Sequence, residues 1–155
     1  MNATFNIVEE PVGETYQKLL QLASETCASF SLVWRDQLNF ELSAEEVASL
    51  LQPYLIREQR TDEWPGTKLL GHLATVRHYR LCVETLNVLR QAAGLYAWLE
   101  PVFPEDLALY TQDGSVWLGS IAHEQDAWIQ GGSELEQAIG ARLPGLAVVH
   151  ERIVE

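Results

Sequence analysis

From Gln91 to Ala141 the chain carries eight carboxylates and neither a lysine nor an arginine. The acids are Glu100, Glu105, Asp106, Asp113, Glu124, Asp126, Glu134 and Glu136. Unpaired carboxylates repel one another, so a fold for this half must leave them to water or bring a cation from elsewhere. The cations lie upstream. Residues 57–90 hold Arg57, Arg60, Lys68, Arg77, Arg80 and Arg90 against four acids, whereas residues 1–56 set only Lys18 and Arg35 against eight.

The full chain stands at a net charge of −12, which excludes several partners. A nucleic-acid backbone needs clustered lysine and arginine, and an anionic lipid surface needs the same. A basic protein would be steered towards this chain; solubility alone is the plainer explanation of the charge. At 155 residues, with 47% hydrophobic and 21% charged residues, the chain has the size and composition of one globular domain spanning 1–155. Cys27 and Cys82 sit in apolar patterns, which favours buried thiols in a reducing compartment over a disulfide framework. No apolar run approaches the roughly 20 residues that cross a bilayer, and Met1 to Glu10 lacks the pattern of a signal peptide. The expectation is cytoplasmic.

Periodicity separates helices from strands. Tyr16, Leu19, Leu20, Ala23 and Cys27 recur on one face of a helix over 14–27. A two-residue rhythm through Phe30, Leu32 and Trp34 predicts a strand over 29–40, or a hairpin turning near Asp36. Ser43-Ala44-Glu45-Glu46 has the form of a capping box before Val47, Leu50, Leu51, Tyr54 and Leu55, with Pro53 ending or bending that helix. Residues 57–67 read as a polar loop containing Trp64-Pro65-Gly66. Residues 67–81 alternate and predict a long strand, with Gly71 arguing against a helix. A helix over 83–93 ends at Gly94, and a short helical turn includes Tyr96 to Leu99. Asp113-Gly114 between Leu107–Thr111 and Val116–Ile121 is a strong hairpin signal. A strand over 126–130, a helix over 133–141 opened by Ser133-Glu134-Leu135-Glu136, and a last strand over 146–149 complete the reading. The class predicted is α+β: a single compact domain, mostly antiparallel sheet, with a hairpin in its C-terminal half and about four helices.

No complete catalytic, metal or nucleotide motif is present, and no cofactor is expected. His123-Glu124-x-Asp126 is the one dense cluster of ligand-type side chains, and imidazole with carboxylates suits a divalent metal. Its spacing is not that of a helical His-Glu-x-x-His site, since Ala127 stands where the second histidine belongs. Glu105 with Asp106, or Glu124 with Asp126, could act as acid and base, although carboxylate pairs are common in an acidic chain. The serines lack a nucleophile elbow, and buried thiols are inert. Trp34, Trp117 and Trp128 fall in predicted strands and pack the sheet. Trp64, in a polar loop, is a candidate contact residue, against the plainer reading that it plugs the core. Tyr110 and Trp117 are placed to pair across the hairpin. Arg77 or Arg80 is placed to neutralise Glu105 or Asp106.

The expectation that follows is a non-enzymatic binding protein, with an acidic surface that includes Glu105, Asp106, Asp113, Glu124 and Asp126, and with Trp64 as an aromatic contact. Its partner would be a basic protein, as for an immunity or antitoxin-type inhibitor of a nuclease toxin. The alternatives are a small metal-dependent hydrolase or ligand-binding enzyme using His123, Glu124 and Asp126, and a structural or adaptor subunit.

Overall fold

The apolar rhythm around Phe30 builds a strand in the interior of the sheet, and the remaining elements are arranged around it. The computed structural model describes residues 3–35 and 39–151. In chain order the strands are β1 Ala3–Ile7, β2 Cys27–Arg35, β3 Leu55–Thr61, β4 Glu63–Trp64, β5 Thr67–Lys68, β6 Ala74–Arg80, β7 Glu105–Thr111, β8 Val116–Ile121, β9 Asp126–Gly131 and β10 Val148–Glu151. The helices are α1 Gly13–Thr26, α2 Leu42–Leu51, α3 Val83–Leu89 and α4 Ser133–Arg142. Eight strands form one antiparallel sheet in the order β10-β1-β9-β8-β7-β2-β6-β3, while β4 and β5 make a separate small hairpin. The molecule is a single compact α+β domain, as predicted.

Side chains alternate across a strand, so β2 serves both faces of the sheet. Phe30 and Leu32 join the main core with Tyr16, Leu19, Leu20 and Ala23 of α1 and Leu107 and Leu109 of β7. The Tyr16 hydroxyl donates to the Leu89 carbonyl at 2.6 Å and accepts from Trp98 Nε1 at 2.9 Å, which locks α1, α3 and the loop before β7 together. Val33 contributes to a second, smaller cluster with Trp64, Ala74 and Val76. The β4–β5 hairpin thus serves as a cover, with Trp64 pressed onto β2 and β6. Its turn depends on Gly66, which holds φ at +83°; a β-carbon there would lie 2.5 Å from the Trp128 ring.

Several local expectations are corrected. The segment read as a polar loop over 57–67 holds most of β3, an edge strand paired with β6, and all of β4. The residues of β3 are almost all exposed, so it shows no apolar alternation, and its charges suit an unprotected sheet edge. The strand expected over 67–81 is broken: β5 ends at Lys68, Gly71 takes φ +77°, and regular pairing resumes at Ala74. β1 carried too short a pattern to stand out. The helix expected over 83–93 ends at Leu89, and the last strand runs Val148–Glu151. Neither expected capping box forms. Ser43 lies inside α2 and its hydroxyl donates to the Val102 carbonyl, while α4 begins at Ser133 with no side-chain cap. The box that does form joins Cys82 and Thr85 at the start of α3. Tyr110 lies opposite Val116 rather than Trp117, and hydrogen-bonds Ser31 instead. The hairpin considered near Asp36 lies outside the described residues.

Candidate functional site

Three carboxyl groups converge under the cover hairpin. Glu100 lies in the loop before β7, and Glu105 and Asp106 open that strand. Their exposures are only 8%, 3% and 2%, so the expected surface position of Glu105 and Asp106 is corrected: both are interior. Trp64 is likewise interior at 5% exposure, which favours the core-plug alternative over the contact residue. The physical reason is the hairpin. Trp64 Nε1 donates to Asp106 Oδ2 at 2.8 Å, so the residue that buries the carboxylate also gives it a proton donor.

Asp106 is bound on its other oxygen as well, where the Ala122 amide donates to Oδ1 at 3.0 Å. Its backbone holds φ at 58°, in the left-handed region that non-glycine residues occupy at a cost. The Arg35 amide donates to Glu100 Oε1 at 2.6 Å, and the Arg35 guanidinium stands 3.9 Å from Glu105 Oε2 and 5.7 Å from the Trp64 ring centre. An arginine does reach the pair, but it is Arg35 of β2. Arg77, one of the two expected, instead donates to Glu58 at 2.6 Å and lies over the Trp34 ring.

Burial sets the protonation of this group. Loss of water pushes the Glu100 carboxyl up to about 8, opposed by the Arg35 amide and reinforced by the neighbouring Glu105 charge. Glu105 is raised first by burial and then by the charge of Asp106, with Arg35 opposing. Asp106 is raised by burial, against the hydrogen bonds from Trp64 and Ala122. Glu100 and Glu105 lie close enough to act on each other's charge, and among the described residues Glu100 Oε2 is buried with no hydrogen-bond partner.

His123 stands at the solvent edge of this cluster. Its ring and the carboxylates of Glu105 and Asp106 present donor atoms all within 4.8 Å of one another. The expected partners Glu124 and Asp126 do not join it there. Both are exposed; Glu124 Oε1 lies 3.9 Å from His123 Nε2, and Asp126 begins β9. Sequence reading singled out Glu105, Asp106, Trp64 and His123 separately but missed Glu100 and Arg35. The only local hint was the Glu105-Asp106 pair leading straight into the apolar run of β7.

A second region keeps its acids in water. Asp113 caps the β7–β8 turn, accepting on Oδ1 from the Thr111 hydroxyl and from the Ser115 amide at 2.9 Å. Those bonds hold its carboxyl down, to about 2. Asp113 and Glu134 line a groove of about 380 Å³ with Leu22, Val116, Trp117 and Leu135, and none of its lining residues is a lysine or arginine. No family model matches the chain, and neither a curated protein nor a solved structure does.

Proposed function

We propose that this is a non-enzymatic binding protein whose exposed acids engage a basic protein, in the manner of an inhibitor that occupies the phosphate-binding surface of a nuclease. The observation that carries the reading is the groove between the β7–β8 turn and the start of α4. Asp113 and Glu134 supply its charge, and Leu22, Val116, Trp117 and Leu135 supply apolar walls. That combination suits a lysine or arginine, whose aliphatic stem packs on apolar surface while its head meets a carboxylate. Glu124 and Asp126 add exposed charge at the opposite end of β8 and the start of β9. Glu105, Asp106 and Trp64 take no part, being interior. The two cysteines are unpaired, in keeping with a cytoplasmic protein, and no helix among the described residues is long and apolar enough to cross a membrane.

The test is titration of an oligo-arginine peptide into the protein at low and moderate salt. Binding should weaken steeply as the screening length falls to about 10 Å near 0.1 M salt. Asp113→Asn with Glu134→Gln should lower affinity about tenfold and flatten the salt dependence. Equal binding by this double variant and the parent would remove the groove from the reading.

A further inference from the structure

We infer that Glu105, Asp106 and His123, backed by Glu100, form a binding site for a divalent transition-metal ion of the zinc class. The site is separate from the acidic groove and does not depend on what the groove binds.

The first argument is charge. Three carboxyl groups are gathered in the interior at the start of β7, and among the described residues the guanidinium beside them is that of Arg35, 3.9 Å from Glu105. Burial holds these carboxyls towards their protonated form, and a bound cation is what would let all three ionise, by pairing the two negative charges that Arg35 does not offset. A divalent cation closes that balance.

The second argument is the orphaned oxygen. Glu100 is more than nine-tenths buried, its Oε1 takes the Arg35 amide, and its Oε2 has no donor among the described residues. Glu100 and Glu105 lie close enough for each to act on the other's charge, so the unsatisfied oxygen belongs to the same buried cluster. A proton shared between Glu100 and Glu105 would satisfy that oxygen, but it would leave unexplained why an imidazole completes the same circle of donors.

The third argument is the donor set. Two carboxylate oxygens and one imidazole nitrogen within 4.8 Å suit zinc, manganese or iron(II) better than magnesium or calcium, which prefer oxygen alone. Tetrahedral ligands of a zinc ion stand roughly 3.3 Å apart, as its bond lengths require. His123 is the exposed member and can move inward, whereas Asp106 is held from outside by the Trp64 and Ala122 N–H groups. Those donors fill one lone pair on each Asp106 oxygen and leave another. Outer hydrogen bonds of this kind orient the carboxylate ligands of metal sites.

The experiment is calorimetric titration of zinc into the full chain after treatment with a chelator, paired with thermal unfolding. The expected result is one ion per chain and a raised melting temperature. His123→Ala should weaken zinc binding at least about tenfold, the scale on which even the outer partners of a metal site act. Glu105→Gln should abolish it. Asp126→Asn should leave it unchanged, since that residue lies outside the donor set. Absence of zinc binding, binding that survives His123→Ala, or binding lost on changing Asp126 would overturn the site. If Glu105→Gln does not fold, His123→Ala decides alone, because that side chain is exposed and its loss leaves no cavity.

Discussion

The carboxyl groups under the β4–β5 hairpin and the carboxylate at the tip of the β7–β8 turn are the same chemical group in opposite surroundings. Glu100 is pushed up to about 8 because burial removes the water that stabilises its charge. Asp113, fully in solvent, is held down to about 2 by hydrogen bonds from Thr111 and Ser115. The first region lowers its own charge on folding, and the second keeps its charge in water. A count of acidic residues therefore overstates the negative surface, because the two regions do not contribute alike. Dehydration governs the first and local hydrogen bonding governs the second.

The largest effect should come from stripping the cover. Trp64→Ala is expected to cost about 3–5 kcal/mol in urea unfolding, through the cavity it leaves over Val33 and Val76. Trp64→Phe keeps most of the buried area but removes the donor to Asp106 Oδ2, and should cost about 1–3 kcal/mol. If Trp64→Phe matched the parent, the indole N–H would not be what makes burial of Asp106 tolerable.

Next is the pH dependence of the metal-free protein. A carboxyl raised from 4.5 to about 8 binds its proton in the folded state when the unfolded chain has lost it. Its contribution is therefore full below pH 4.5, declines as pH rises, and is gone above about 8. Glu100→Gln keeps an acceptor for the Arg35 amide and cannot ionise, so urea midpoints measured from pH 5 to 9 should fall less than those of the parent. An unchanged slope would mean that Glu100 is already ionised at neutral pH.

His78 provides a smaller test with the opposite sign. It lies on β6 with its ring tilted against that of Tyr110, and burial lowers it from 6.5 to about 4, with the Arg57 charge adding to the effect. The folded state then keeps it neutral while the unfolded chain takes a proton. Its contribution is present above pH 6.5 and is lost as pH falls towards about 4. His78→Gln should reduce acid destabilisation over that window, measured by thermal unfolding between pH 7 and 4. The smallest effect is expected at the exposed turn. Asp113→Asn retains an oxygen for Thr111 and Ser115 and should leave the melting temperature close to that of the parent in the same unfolding assay.

What could be read in the chain follows the range of the interactions. Asp113-Gly114 announced its hairpin because a turn is settled by four neighbouring residues, and α1 announced itself through Tyr16, Leu19, Leu20 and Ala23. The edge strand β3 did not, since both its faces meet water and no alternation is left in it. The apparent capping boxes at Ser43 and Ser133 were also misleading. A hydroxyl takes whichever partner packing brings, and for Ser43 that was the carbonyl of Val102. Of the site, the types of Glu105, Asp106 and His123 were visible but their association was not. Arg35 reaches Glu105 across seventy residues of chain, and Trp64 reaches Asp106 across forty-two.

The amino-acid order by itself determined an α+β domain with a large acidic excess, a hairpin at Asp113-Gly114 and helices with one apolar face, because short-range sterics and periodic burial specify these. Only the tertiary structure decided which carboxylates keep their water. That choice depends on where a small hairpin lands on the sheet, and dehydration is a property of the surroundings that no neighbour in sequence encodes.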